Sequence, residues 1–151
     1  MPDYGSNIWD DLEDLGDGVR GTRLLQRAKE TRLRAAVWEI EPGATQGPYH
    51  VHHGTEELLL VLRGHPTLRT PDGERELKEG EAVHFPAGPT GAHQLTNRSD
   101  EVARVVIAAS HVVPEIVEYI DEGEAIAWSV HDSLVTGKSL EIRTKLRDDS
   151  S

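Results

Sequence analysis

Between residues 22 and 110 the apolar positions fall in short blocks, and each block ends at glycine, proline or a small polar cluster. Several blocks alternate apolar and polar with period two, which places successive side chains on opposite faces of a strand. A strand is expected over residues 22–28. In "RLRAAVWEIEPG" (32–43), Leu33, Ala35 and Val37 alternate with Arg34, Ala36 and Trp38, and Pro42-Gly43 closes the strand. "PYHVHHGTEELLLVLRG" (48–64) predicts strands over 48–52 and 57–63, with His53-Gly54-Thr55 as the bend. Residues 67–69 and 74–77 flank "TPDG" as a hairpin. "KEGEAVHFPAG" gives a turn at Gly80 and a strand over 82–85, and "AHQLTN" and "VARVVIAAS" give two more around a turn at 98–100. About eight short strands punctuated by turns read as a sandwich or barrel.

Beyond His111 the pattern changes. Strands are expected over 116–120 and 125–128, whereas the stretch from Ser133 onward has a weak helical or coil pattern and ends in the polar "RDDSS". At the other end, "MPDYGSNIWDDLEDLGDG" is acidic and punctuated by glycine, a flexible arm with Ile8, Trp9 and Leu12 as docking points. The organisation expected is therefore an arm over 1–18, a barrel over 19–111 and a C-terminal extension over 112–151, part strand and part flexible tail. No internal repeat or low-complexity segment interrupts it.

Composition narrows the function classes. The chain has 151 residues, 14 of them glycine and 8 proline, which suits one turn-rich domain. A formal net charge of -11 argues against nucleic acid and against an anionic membrane surface, because both need a basic face. With no cysteine, disulfides, thiolate ligands and a thiol nucleophile are excluded. The acidic N-terminus lacks the apolar segment of a signal peptide, and no apolar run approaches the ~20 residues of a membrane span, so a cytoplasmic protein is expected.

The chemistry gathers at 48–64. His50 and His52 share one face of a strand, about 7 Å apart by strand rise, and can converge on one ion. After the bend, Glu57, Leu59 and Val61 line the inner face of the next strand, and Glu56 faces away. A fourth ligand can come from His93, which shares its face with Leu95 and Asn97. Neutral imidazoles with one carboxylate suit Fe, Mn, Zn, Ni or Cu as a divalent ion. His53 reads as a turn residue or as a group behind the ligands. His84 sits beside the second block, and Tyr49 beside the first, as possible pocket residues. His65, His111 and His131 have no supporting pattern. The glycines and Asn97 read as setting turns and strand ends.

Two spaced blocks carry a family resemblance. One is Gly43, His50-Val51-His52, Glu57 and Gly64, with six residues between Gly43 and His50. The other is Gly80, Pro86, Gly88, His93 and Asn97, with four residues between Gly88 and His93. Together they resemble the two motifs of the cupin superfamily, each with extra loop residues, over about 22–110. The resemblance implies an all-β double-stranded β-helix, a jelly-roll-like barrel. It further implies one divalent transition metal per chain, held by His50, His52, Glu57 and His93, and pairing as a homodimer. It does not specify a reaction. A metal-dependent enzyme acting on a small organic molecule (a dioxygenase, isomerase or lyase) is the leading reading. A non-catalytic binding or sensing module, and a structural or storage protein with a vestigial site, are the rivals. Nothing resembles a phosphate loop, and no G-x-S-x-G supports a serine nucleophile.

Overall fold

The computed structural model describes residues 7–25, 32–129 and 140–147. Among these residues the regular structure is nearly all strand: β1 (Glu13–Asp14), β2 (Val19–Arg23), β3 (Leu33–Ile40), β4 (Thr45–His52), β5 (Glu57–Arg63), β6 (Thr67–Thr70), β7 (Gly73–Glu76), β8 (Ala82–Phe85), β9 (His93–Thr96), β10 (Ala103–Ser110), β11 (Glu115–Tyr119), β12 (Glu124–Ser129) and β13 (Leu140–Lys145). A single 3-10 turn covers Pro89–Gly91. The strands form two antiparallel sheets, one in the order β1-β2-β3-β10-β5-β8 and the other β13-β12-β11-β4-β9-β6-β7. Two facing sheets of this kind make the double-stranded β-helix that the family resemblance implied.

The core sits between the sheets. Val19, Ile40, Leu59, Val61, Leu68, Leu77, Phe85, Leu95 and Val105 form one buried cluster, with Trp38 and Ile107 packed on it. Their positions follow strand parity. On β5, Leu59 and Val61 are buried, while Leu58 and Leu60 are exposed. Burying a side chain such as Leu59 stabilises the fold by about 1.5–3 kcal/mol. Asn97 is a fully buried polar residue at the end of β9. Its amide donates to the carbonyls of Ile40 and Glu101 at 2.8 and 2.7 Å, and its oxygen accepts from Ser99, so it fixes a corner between sheets.

The glycines of the two blocks share a conformation: Gly43, Gly64, Gly80 and Gly88 all have φ between 81° and 90°. At Gly64 both reasons for glycine apply, since a Cβ there would also lie 2.9 Å from the Ala103 Cα. The extra loop residues are absorbed locally. Between the pairs Gln46–Leu95 and His50–His93 the β4–β9 ladder shifts register. The longer second block forms the Pro89–Gly91 turn, where Gly91 is obligatory because a Cβ would come within 1.8 Å of the Pro86 carbonyl oxygen.

Three expectations need adjustment. The strand expected over 22–28 runs Val19–Arg23, and residues 26–31 lie outside the described residues. In the acidic N-terminal segment, Glu13–Asp14 pairs with β2, and Arg104 Nη2 donates to the Asp10 carbonyl at 2.7 Å. In the segment read as weak helix or coil, Leu140–Lys145 is instead strand, paired along β12 from Glu124–Lys145 to Ser129–Leu140. Its backbone bonds come from a neighbour strand, a tertiary influence that local propensity does not register. His131 lies outside the described residues.

Candidate metal centre

Three strands deliver the candidate ligands to one end of the barrel. β4 brings His50 and His52 on its inner face, β5 opens with Glu57, and β9 opens with His93. Cross-strand pairing sets His50 directly opposite His93. His50, His52 and Glu57 each offer one ligand atom, those atoms lie within 4.8 Å of one another, and the three could hold a metal ion. The His93 Nε2 lies 3.1 Å from Glu57 Oε2, and the His52 Nε2 lies 3.7 Å from Glu57 Oε1. The imidazoles of His50 and His93 are 4.5 Å apart between ring centroids, and those of His50 and His52 are 5.1 Å apart.

Two rings are locked by the backbone. The Nδ1 of His50 meets the Pro48 carbonyl at 2.8 Å, and the Nδ1 of His93 meets the Gly91 carbonyl at 2.9 Å. A carbonyl only accepts, so each Nδ1 carries the proton and donates it. In the neutral ring the lone pair is then on Nε2 and turned toward the centre. Phe85 stacks on the His93 ring at 3.8 Å, holding its plane.

This arrangement has an electrostatic consequence. Glu57 Oε2 is buried and accepts no hydrogen bond, although His93 Nε2 is 3.1 Å away. The Nδ1 of His52 is likewise buried without a partner. Buried polar atoms this close need a positive charge shared between them, and a proton or a metal ion can supply it. The donor set itself, nitrogen and oxygen with no sulfur, is suited to a divalent transition metal.

Burial and neighbouring groups shift the titrations in the direction a metal site requires. His50 is lowered from 6.5 to about 4, by burial first and then by the field of His93. His52 is lowered by burial, against the opposing fields of Glu57 and Glu115. For Glu57 burial raises the pKa, but the combined effect of His93, His52 and His50 outweighs it and the net shift is downward. At neutral pH His50 and His52 are therefore neutral and Glu57 is ionised.

The other suggested site residues are placed elsewhere. Tyr49 points to the opposite face of β4, into a small cluster with Val51, Ala92 and Ile120, and the Arg69 guanidinium lies 3.9 Å from its ring centre. His53 pairs with Glu118 at 3.2 Å on an exposed stretch. His84 is exposed, 3.6 Å from Glu56, and so lies outside the barrel mouth. Glu56 faces away, as strand parity predicted.

Two charged residues near the centre have no motif to announce them. Arg34 on β3 pairs across to Ala109, which pairs to Glu57, so all three belong to one row on the inner face of the sheet. Its charge reaches His52, where it adds a downward influence. Glu115 on β11 is buried with its carboxylate against the loop that joins His52 to Glu57. In sequence both look like ordinary surface charges, and only strand parity followed across three strands would have found Arg34.

A jelly-roll barrel with imidazole and carboxylate donors at one mouth is the class of protein that the fold and site define. Residues 36–109 match the cupin domain family, and the barrel of this chain is a cupin domain. No curated protein matches the chain. Among solved structures it is similar to a sugar phosphate isomerase of the cupin superfamily from Silicibacter pomeroyi, with TM-score 0.72 and 24% identity over 88% of this chain and 82% of that one. It is also similar to the polyketide cyclase RemF from Streptomyces resistomycificus, with TM-score 0.55 and 24% identity over 65% of this chain and 69% of that one. A third similar structure is the cupin domain of an XRE family transcriptional regulator from Enterobacter cloacae, with TM-score 0.54 and 19% identity over 63% of this chain and 98% of that one. At these identities the likeness establishes the fold. Among the described residues no helix is long and apolar enough to cross a membrane.

Proposed function

We propose that this chain is a divalent-metal-dependent enzyme acting on a small anionic organic molecule, with His50, His52, Glu57 and His93 as the metal-holding set. The observation that carries the reading is the convergence of His50, His52 and Glu57, whose ligand atoms lie within 4.8 Å of one another, with His93 Nε2 3.1 Å from Glu57 Oε2 beside them. A bound divalent ion supplies a Lewis acid that polarises a carbonyl or hydroxyl oxygen of the substrate. The locked rings of His50 and His93 keep their Nε2 atoms aimed inward, so the donor set is organised before substrate arrives. The charge of Arg34, in the row of Glu57, reaches His52, which supports an anionic group such as a carboxylate or phosphate on the substrate. An isomerase ranks ahead of a dioxygenase or lyase in this reading, supported by the likeness to the sugar phosphate isomerase over most of the chain.

A second reading, a non-catalytic binding module, is favoured by one observation. His53, His84 and Glu56 are exposed and held in ion pairs, and Tyr49 is turned to the other face of β4, which leaves Tyr119, opposite His50 with its ring 6.5 Å away, as a proton-transfer group beside the ligands. Elemental analysis of protein purified without added metal, with His52→Ala alongside, tests the metal centre. One metal per chain, lost in the variant, is expected. Turnover of phosphorylated or carboxylated hydroxy-carbonyl compounds by the loaded wild type then separates the readings. Tight binding without turnover across that panel would leave the binding module, and a wild type that takes up no metal would sink both metal roles.

A further inference from the structure

Two of the proposed ligands, His52 and Glu57, are separated by a loop of four residues, 53–56. The loop is held from a strand outside the cupin match, which ends at residue 109. Glu115, the first residue of β11, is 1% exposed. Its Oε1 accepts the Gly54 N–H at 3.0 Å and its own neighbour's Ile116 N–H at 3.1 Å, and its Oε2 accepts the Thr55 hydroxyl. The Ile116 carbonyl accepts the His53 N–H at 3.0 Å, so successive groups of the loop are tied to the start of β11. On the opposite side of the same stretch, the Gly88 N–H donates to the His52 carbonyl at 2.7 Å, which joins the second ligand block to the first.

A buried carboxylate is costly unless its oxygens are satisfied. Here the donors just described are two amides and a hydroxyl, all neutral. They satisfy the oxygens without cancelling the charge, and the field of Glu115 reaches His52. The usual place for a negative group behind metal ligands is one where it orients them and favours a cation between them.

We propose that Glu115 is a positioning residue of the metal centre: it clamps residues 53–55 so that His52 and Glu57 converge, and it places a negative charge behind His52 that favours a bound cation. The C-terminal extension thereby becomes part of the site. This assignment rests on the metal reading given above.

Cobalt(II) binding to the full chain tests it, with wild type, Glu115→Gln, Glu115→Ala and Thr55→Val. Three readouts are needed: affinity by chelator competition, the visible ligand-field spectrum of the bound ion, and the melting temperature of the metal-free protein. Glu115→Gln and Thr55→Val are expected to fold and to bind cobalt about 10–100-fold more weakly, with a changed spectrum. If Glu115→Ala fails to fold, these two variants carry the test. Melting temperatures that fall while affinity and spectrum stay at wild-type values would make Glu115 a purely structural residue and overturn the assignment. A wild type that binds no cobalt would instead overturn the metal reading, and the assignment with it.

Discussion

The two levels of the barrel are built on the same strands and the same faces, yet they differ in kind. On β5, Glu57 stands at the mouth, and Leu59 and Val61 follow at steps of two residues. On β9, His93 stands at the mouth and Leu95 follows. Below, Leu59 is fully buried among apolar neighbours and leaves nothing unsatisfied. Above, Glu57 Oε2 and His52 Nδ1 are buried with no hydrogen-bond partner. A displacement of about 7 Å along a strand therefore separates side chains that stabilise the fold from side chains held at some cost to it. Costly polar groups in an otherwise consistent fold mark the place where binding or chemistry is carried out.

Substitution of one residue at each level gives the strongest contrast. His52→Ala is expected to weaken metal binding by at least ~100-fold, beyond the loss typical of an outer partner, while the melting temperature of the metal-free protein stays level or rises. Leu59→Ala is expected to do the reverse. Its unfolding free energy in a denaturant titration falls by about 2–5 kcal/mol, and the folded fraction keeps its metal affinity. If His52→Ala destabilises the metal-free protein as much as Leu59→Ala does, the two levels are one core and the contrast collapses.

Acid sharpens the contrast. The folded state holds His50 and His52 below their ordinary values, His50 at about 4, so it binds fewer protons than the unfolded chain at mildly acidic pH. The associated stability is fully present above pH ~6.5 and is lost as pH falls toward 4. Glu57, also lowered, continues the loss below its ordinary value of 4.5. Metal-free protein is expected to lose on the order of 1–3 kcal/mol between pH 6.5 and 4. His50→Phe, which does not titrate, should flatten that slope, whereas Leu59→Ala should only lower the whole curve. Thermal melts across this range would check both.

The smallest effect belongs to the periphery. Arg98 and Glu74 form a bidentate ion pair at 2.7 and 2.8 Å, but both are largely exposed. Arg98→Ala is expected to cost less than about 1 kcal/mol and to leave metal binding unchanged. A larger loss in denaturant titration would mean that the rim, and not only the core, carries the stability of the barrel.

Much of this was legible in the chain because strand parity is a local rule. Glu57 through Arg63 and Ala82 through Phe85 form strands with the bounds that alternation and turns predicted. The inward set Glu57, Leu59 and Val61 and the outward Glu56 follow from period two alone. The glycines at 43, 64, 80 and 88 were readable as turn positions, and their positive φ is the reason no other residue serves as well. His50, His52 and Glu57 could be grouped from spacing, because a bend of a few residues leaves little freedom between them.

Other features were decided by contacts between segments distant in sequence. Where His93 falls depended on how the extra residues before it fold, and the Pro89–Gly91 turn and the β4–β9 register set it opposite His50. The strand at Leu140–Lys145 exists through its pairing with β12, and Arg34 joins the row of Glu57 only through β10. Glu115 is separated from Thr55 by 60 residues, and nothing near it in the chain announces a buried carboxylate. The sequence by itself determined which residues alternate inward and where the chain must turn, since those follow from backbone geometry within a few residues. Only the tertiary structure decided which inward residues meet and which buried charges stand behind them, because those depend on register between strands that the chain joins by long detours.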